Sequence, residues 1–370
     1  MEQGFLDPIV GFLVDRLGSR KLMLFGWGVM GLGFLLMSRI NSLWAFYGSF
    51  ALISAGFAFG SFVVLNAAAA NWFTRKRSRA MTIIAAGFGP SGALVPLVAL
   101  LVGQLGWRKG LVIIAIGLWI IGFPLCLVMR HKPSQYGLLP DGDTAADIRS
   151  VDDIRRQESR SAAVDFTVKT ALKTRAFWLI TLALFFQHIP MSAVQLHIVP
   201  YLESVNIPTT TAATVVMGMT LCSLIGRVGF GFLGDFKTKR YLMAIAISLQ
   251  VIGLLAFAYV AIDKAWLIIL FLLLYGPGFG GAIPLRPAML ADYFGTRNFG
   301  TIFGCLAFLS MLGGMASPVI AGWVFDTTGS YASIWRLFAL LIIPAIPLIL
   351  IAKPPRAKQE PQEGTQVKGW

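Results

Sequence analysis

The sequence predicts an all-α polytopic membrane protein made of two related sets of helices. Three observations predict it: an apolar composition, ten long windows free of charge, and an internal repeat. Of the 370 residues, 56% are apolar and only 13% are charged, and the mean hydropathy is +0.74. A soluble globular chain is roughly 45–50% apolar and about 25% charged. A soluble enzyme, a disordered chain and a disulfide scaffold are therefore excluded. The net charge of +14 comes from short basic runs between apolar stretches. That pattern belongs to membrane topology rather than to nucleic-acid binding.

The windows lacking Asp, Glu, Lys and Arg are 22–38, 40–74, 80–107, 110–129, 176–202, 204–226, 241–262, 265–285, 298–325 and 337–352. About 20 apolar residues cross the hydrocarbon core, whereas a barrel strand needs only about 9–11. The windows are therefore helices, and the sixth continues past Arg227 to Leu233. Residues 4–14 form one further, incomplete segment, apolar apart from Asp7. As a helix it rises only about 16 Å.

Lys and Arg set the orientation. Alternate loops carry 24 of them and the opposite loops carry four, Arg39, Arg108, Lys109 and Lys264. By the positive-inside rule the basic loops and the C-terminus are cytoplasmic. The expected location is a plasma membrane, of the bacterial inner-membrane kind. The expected organisation is an N-terminal half over 1–130, a cytoplasmic linker over 131–175, a C-terminal half over 176–352 and a tail over 353–370. Within the linker, 165–175 (DFTVKTALKTR) has the pattern of a short amphipathic helix.

Residues 11–24, GFLVDRLGSRKLML, repeat at 231–244 as GFLGDFKTKRYLMA, with seven of fourteen positions identical. WFTRKR at 72–77 pairs with YFGTRN at 293–298 at nearly the same offset. Six helices separate Asp15 from Asp235, so the plan is two six-helix halves in parallel repeat. Two full helices precede the second copy and ten residues precede the first. By that count the first helix and part of the second are missing from this chain. An open groove is expected where the first helix would lie.

The run Gly11-x-x-x-Asp15-Arg16-x-Gly18-x-Arg20-Lys21 resembles the loop between helices 2 and 3 of the major facilitator superfamily. The second copy keeps Gly231, Asp235 and Arg240, with Phe236 and Thr238 where Arg16 and Gly18 stand. The stretch 71–92 (NWFTRKRSRAMTIIAAGFGPSG) is similar to the entry to helix 5 in monocarboxylate transporters and oxalate/formate-type antiporters. QYGLLPDGD, HIVPYL and ADYFGTRNFG are similar to bacterial members of that group. The resemblance implies a conformational lock at the Asp15 and Asp235 loops. It also implies a carboxylate-holding arginine on helix 8, a position that Arg227 matches. Two features depart from the branch. Ser223 stands four residues before Arg227, where monocarboxylate transporters place an acid. No Lys occurs in 298–325, where oxalate exchangers carry one.

The residues themselves support these roles. Asp15, at a helix end, can accept hydrogen bonds from basic groups or face the positive N-terminus of a neighbouring helix. Gly11 allows close helix approach. Arg16, Arg20 and Lys21 suit anionic lipid headgroups, or carboxylates across the interface between halves. Arg227 lies eight residues before Asp235, about 12 Å into the membrane. An arginine at that depth costs roughly 2.5–3.5 kcal/mol on insertion scales and usually marks a substrate path. Its planar fork suits a carboxylate. Arg286, six residues before Asp292, is either a second anion contact, a gate residue or an arginine reaching toward the surface. His188 and His197 lie nine residues apart on one helix. His197, nearer the outer end, could donate to substrate or relay a proton. Helix packing is the alternative for both.

No motif supports catalysis, ATP hydrolysis or metal binding, and Cys126, Cys222 and Cys305 read as buried small hydrophobes. No cofactor is expected, and the chain reads as a monomer. The function expected is secondary transport of a small monocarboxylate or related organic anion, by proton symport or anion exchange. An efflux carrier for amphipathic compounds and a transporter-derived sensor are the rival readings.

Overall fold

The structure is a computed structural model and describes residues 2–60, 62–87, 91–142 and 165–355. Before the linker the helices are α1 (Glu2–Leu17), α2 (Ser19–Met37), α3 (Leu43–Phe59), α4 (Phe62–Trp72), α5 (Arg77–Ala86) and α6 (Ser91–Val128). After it come α7 (Val168–Leu172), α8 (Arg175–Ser204), α9 (Thr209–Phe236), α10 (Lys239–Ala258), α11 (Leu267–Phe294), α12 (Phe299–Met315), α13 (Ser317–Thr328), α14 (Ala332–Ile342) and α15 (Ala345–Ile351). Among the described residues the regular structure is all helical, as the apolar composition requires. In a bilayer, backbone polar groups must be satisfied within each segment.

Nine helices among the described residues are long and apolar enough to cross a membrane, against the ten windows expected. The difference lies between 77 and 128. α5 is described to Ala86, and 88–90 lie outside the described residues. The 38-residue α6 consists of two helices that meet at a corner, where the windows 80–107 and 110–129 adjoin. Gly106 makes the corner there at φ 77°, a backbone state that L side chains rarely adopt. The incomplete N-terminal segment is longer than its apolar run, since α1 has 16 residues and keeps Pro8 inside the helix. The amphipathic linker segment shrinks to five residues. Thr167 caps it by accepting from the Thr170 amide. Asp165 is diverted to another loop, accepting from the amides of Thr296 and Arg297 at 2.9 and 3.2 Å. The tail from 356 onward lies outside the described residues, as does the linker over 143–164.

The two sets of helices repeat their packing. α2 packs on α3 as α10 packs on α11, and α2 meets α6 as α10 meets α14 and α15. Two seams join the sets: α1 against α12, and α9 against α5. The sets differ at α8, which packs on α9, α12, α13, α14 and α15. Its Phe177 stacks edge-on against Phe294. In the first set the matching ring, Phe73, instead lines an open groove of about 620 Å³ between α4, α5 and the end of α6. The first set is thinly buried along its last long helix. Only 17% of the apolar stretch in 96–128 is buried, against 44% in 299–328.

Small residues set how closely the helices approach. A Cβ on Gly280 would overlap the carbonyl oxygen of Ser223, and one on Gly226 would overlap the Pro277 backbone, so α9 and α11 touch backbone to backbone. Gly280→Val is expected to lower stability by about 1–3 kcal/mol, the usual cost of forcing extra methyls into a packed contact. Thermal melting in detergent measures it. Gly229→Val, whose added Cβ meets nothing within 4 Å, is the control and should melt like the parent protein.

Candidate functional site

One end of the bundle carries the basic loops, and both seams are bolted there. Asp15 sits on the first turn of α12. Its Oδ1 accepts from the Gly300 amide at 2.9 Å. Its Oδ2 accepts from the Thr301 amide at 2.8 Å and from Thr301 Oγ1 at 2.7 Å. The first amides of a helix have no intrahelical acceptor and carry the positive end of the helix dipole, so a carboxylate completes them. Gly11 brings Asp15 this close, since a Cβ there would overlap Gly300 O. The second copy makes the same bolt at the other seam. Asp235 Oδ1 accepts from the Ser78 amide at 2.8 Å, and Oδ2 lies 2.9 Å from Arg79 Nε. A Cβ on Gly231 would overlap Thr82 Oγ1.

Of the two settings open to Asp15, the structure uses the helix N-terminus rather than basic groups. The signature's cations do not cross the seams. Arg16 stacks over Phe12, 4.4 Å from the ring centroid, and Arg20 and Lys21 are exposed. Arg240 donates to Tyr241 Oη at 3.0 Å. Gly18 takes φ 82°, which positions Ser19 to donate to His131 Nδ1 from its amide at 3.3 Å. Burial and the neighbouring Lys132 hold the His131 imidazole below its usual range, so Nδ1 stays free to accept.

Sequence reasoning missed a third bolt. Arg77, buried at the start of α5, donates from Nη1 to Asp292 Oδ1 at 2.7 Å and from Nε to Phe73 O at 3.1 Å. Lys239 holds the other oxygen of Asp292. This pair crosses between the sets, with Arg77 in one repeated stretch and Asp292 immediately before the other. Arg77 and Asp292 lie 215 residues apart, so no local pattern could pair them. The linker contributes as well, since Asp141 accepts from the amides of Thr74, Arg75 and Lys76 at 3.1, 2.8 and 3.2 Å. Three carboxylates thus tie the two sets of helices together at the face carrying the basic loops.

Two arginines lie deeper. Arg227 points from α9 into the seam with α5, where Nη1 donates to Ala85 O at 2.7 Å. Its Nε is buried without a hydrogen-bond partner, and no ion pair is recorded for it among the described residues. Arg286 does not run to the surface. It reaches α8, donating from Nη2 to Gln187 Oε1 at 3.0 Å, with Nη1 3.3 Å from His188 Nε2. Its Nε, the Gln187 Nε2 and the Tyr275 hydroxyl are all buried and unpartnered. Arg286 and His188 nevertheless keep part of their surface accessible. Isolated cations and orphan donors at this depth are costly and suit an anion.

His197 is not part of this arrangement. It lies more than two turns further along α8. Its Nδ1 meets Tyr331 Oη at 3.1 Å and its Nε2 meets Pro318 O at 2.9 Å, in the packing of α8 against α13 and the start of α14. Both ring nitrogens are occupied. Gln187 and Tyr275 went unnoticed in the sequence because their polarity is ordinary and only folding sets them beside Arg286. No group of His, Cys, Asp and Glu able to hold a metal occurs among the described residues.

The family model of the Major Facilitator Superfamily matches residues 3–276 and 191–370. Monocarboxylate transporter 12 of Rattus norvegicus is 25% identical over 370 residues, covering 94% of this chain and 74% of the relative. The oxalate:formate antiporter of Oxalobacter formigenes is 26% identical over 355 residues, covering 91% and 79%. The crystal structure of the human organic anion transporter MFSD10 superposes with a TM-score of 0.70 at 16% identity, covering 94% of this chain and 81% of that one.

Proposed function

The chain belongs to the major facilitator superfamily, and we propose that it is a secondary transporter of a small monocarboxylate or related organic anion. The observation that carries the substrate class is the pair of deep guanidiniums, Arg227 and Arg286, each with a buried unpartnered Nε and neither with a carboxylate partner among the described residues. A carboxylate supplies what both lack, and charge-assisted bonds to Arg are among the strongest available. The two relatives named for monocarboxylate and oxalate:formate transport support the same class. Their names come with departures here: Ser223 replaces an acid, and 298–325 holds no Lys.

The basic loops face the cytoplasm in this reading, by the excess of Lys and Arg on that side. The Asp15, Asp235 and Asp292 bolts then hold the cytoplasmic side shut, and transport requires both seams to open in turn. Arg20 and Lys21, exposed beside the Asp15 bolt, are placed to meet anionic lipid headgroups.

The test is uptake by proteoliposomes of radiolabelled lactate, pyruvate and formate, with glycerol as the neutral control. At least one carboxylate should accumulate above the control and be displaced by its unlabelled form. Carboxylate uptake no greater than that of glycerol, with saturable efflux of an amphipathic dye, would overturn this reading in favour of drug efflux.

A further inference from the structure

We propose that His188 takes up the co-transported proton, and that anion binding at Arg286 is what allows it to do so. This rests on the reading of the chain as an organic-anion carrier and adds a proton-coupling residue to it.

The argument starts from the tautomer. His188 Nδ1 lies 2.8 Å from the carbonyl oxygen of Leu184, one turn back on α8. A carbonyl only accepts, so Nδ1 carries the hydrogen and Nε2 presents its lone pair. That lone pair faces Arg286 Nη1 at 3.3 Å. A proton on Nε2 would set two donors against each other and two positive charges side by side. While Arg286 is unliganded, His188 is therefore held neutral.

An anion reverses both objections. A carboxylate on Arg286 draws the Nη1 hydrogen away from Nε2 and cancels the guanidinium charge. The orphan Arg286 Nε, Gln187 Nε2 and Tyr275 hydroxyl are donors of the kind its oxygens need. His188 Nε2 is then free to bind a proton. No covalent bond is broken, and the charge balances. The empty site holds Arg⁺ and neutral His. The loaded site holds Arg⁺, the anion and His⁺, with the same net charge. A carrier that moves this site across the membrane carries no extra charge in either state.

Asp7 on α1 is also titratable within the bundle, but α1 is not among the helices packed against α8, and of the ionisable groups on α8 and those helices His188 is the one that meets Arg286. On the helices packed against α8, Lys169, Asp235 and Lys237 lie at the basic end with Arg175 of α8 itself. Asp326 and Arg336 lie at the opposite end with His197, Tyr201 and Glu203 of α8. Cys222, Arg227 and Cys305 complete the set, and none of these has a recorded bond to His188. From α11, Arg286 is the charge that meets His188, with Nη1 3.3 Å from Nε2.

The experiment uses the full chain in proteoliposomes with radiolabelled lactate, pyruvate and formate. Two rates are read: accumulation driven by an acid exterior, and exchange at equal pH. The parent protein should raise its accumulation ratio about tenfold per unit of pH gradient, as one proton per anion requires. His188→Gln keeps an acceptor for Arg286 but cannot be protonated. It should lose acid-driven accumulation and retain exchange within about twofold. His197→Gln should retain both. Acid-driven accumulation that survives His188→Gln overturns the proposal, as does a parent protein that exchanges anions with no response to the gradient. If the parent protein neither exchanges nor accumulates any of the three anions, the organic-anion reading falls and the coupling proposal falls with it.

Discussion

Replacing Arg227 with alanine is expected to abolish carboxylate uptake. The residue sits about 12 Å from the Asp235 end of its helix, in a seam rather than in lipid. One of its nitrogens bonds to Ala85 O and another has no partner. A bound carboxylate adds two charge-assisted bonds to a group that already bears the cost of its burial. Each such bond is worth about 1.5–3 kcal/mol, so losing both lowers affinity by roughly 10²- to 10⁴-fold. Arg227→Lys should fall between, at a loss of about 10- to 100-fold, because a point charge replaces a planar fork. Initial uptake rates of lactate, pyruvate and formate, at matched protein content in proteoliposomes, read the effect. Uptake by Arg227→Ala equal to that of the parent would remove Arg227 from the site and leave Arg286 as the anion ligand.

The parts of this molecule legible in sequence are those where one residue type has few roles. A charge-free window of 20 residues can only be a membrane helix, and Asp15 among glycines at a helix end can only be making close contact. Arg227 was legible because an arginine at its depth is expensive wherever it points. The partners were not legible. Asp15 could have met a cation or a helix end, and the choice follows from Gly11 and Gly300 letting α1 ride directly on α12. Arg286 could have reached the surface from six residues inside, but Gln187 and His188 on α8 draw it inward. The boundary between the windows 80–107 and 110–129 was legible, because Arg108 and Lys109 interrupt the apolar run there. What the sequence did not show is the means: the corner is made by Gly106, which takes φ 77°.

Gly11→Val is expected to prevent closure of the basic face and to lower transport by at least tenfold. The added side chain would fall on the carbonyl of Gly300, which is backbone and cannot swing aside. Either α1 moves away from α12 or the helices bend. Both outcomes pull Asp15 from the Gly300 and Thr301 amides and leave a carboxylate without its partners. A valine contributes apolar contact of its own, but only after the seam has parted by an ångström or more, so the lost hydrogen bonds decide the outcome. Asp15→Asn should be milder, since the helix approach survives and the amide oxygen still accepts, while the charge facing the helix N-terminus is gone. The reporter is a cysteine at position 78, introduced in a chain whose three native cysteines are replaced. Ser78 is fully buried in the other seam, and the bond that matters there comes from its backbone amide, which Ser78→Cys keeps. In the parent background a membrane-impermeant maleimide added on the side of the basic loops should label it slowly. With Gly11→Val the labelling rate should rise at least tenfold, because helix sets bolted at both seams open together. Gly229→Val, which meets open space, should leave labelling and transport unchanged. Slow labelling in Gly11→Val with normal transport would show that the seam tolerates a side chain and that Asp15 is not a bolt on which closure depends.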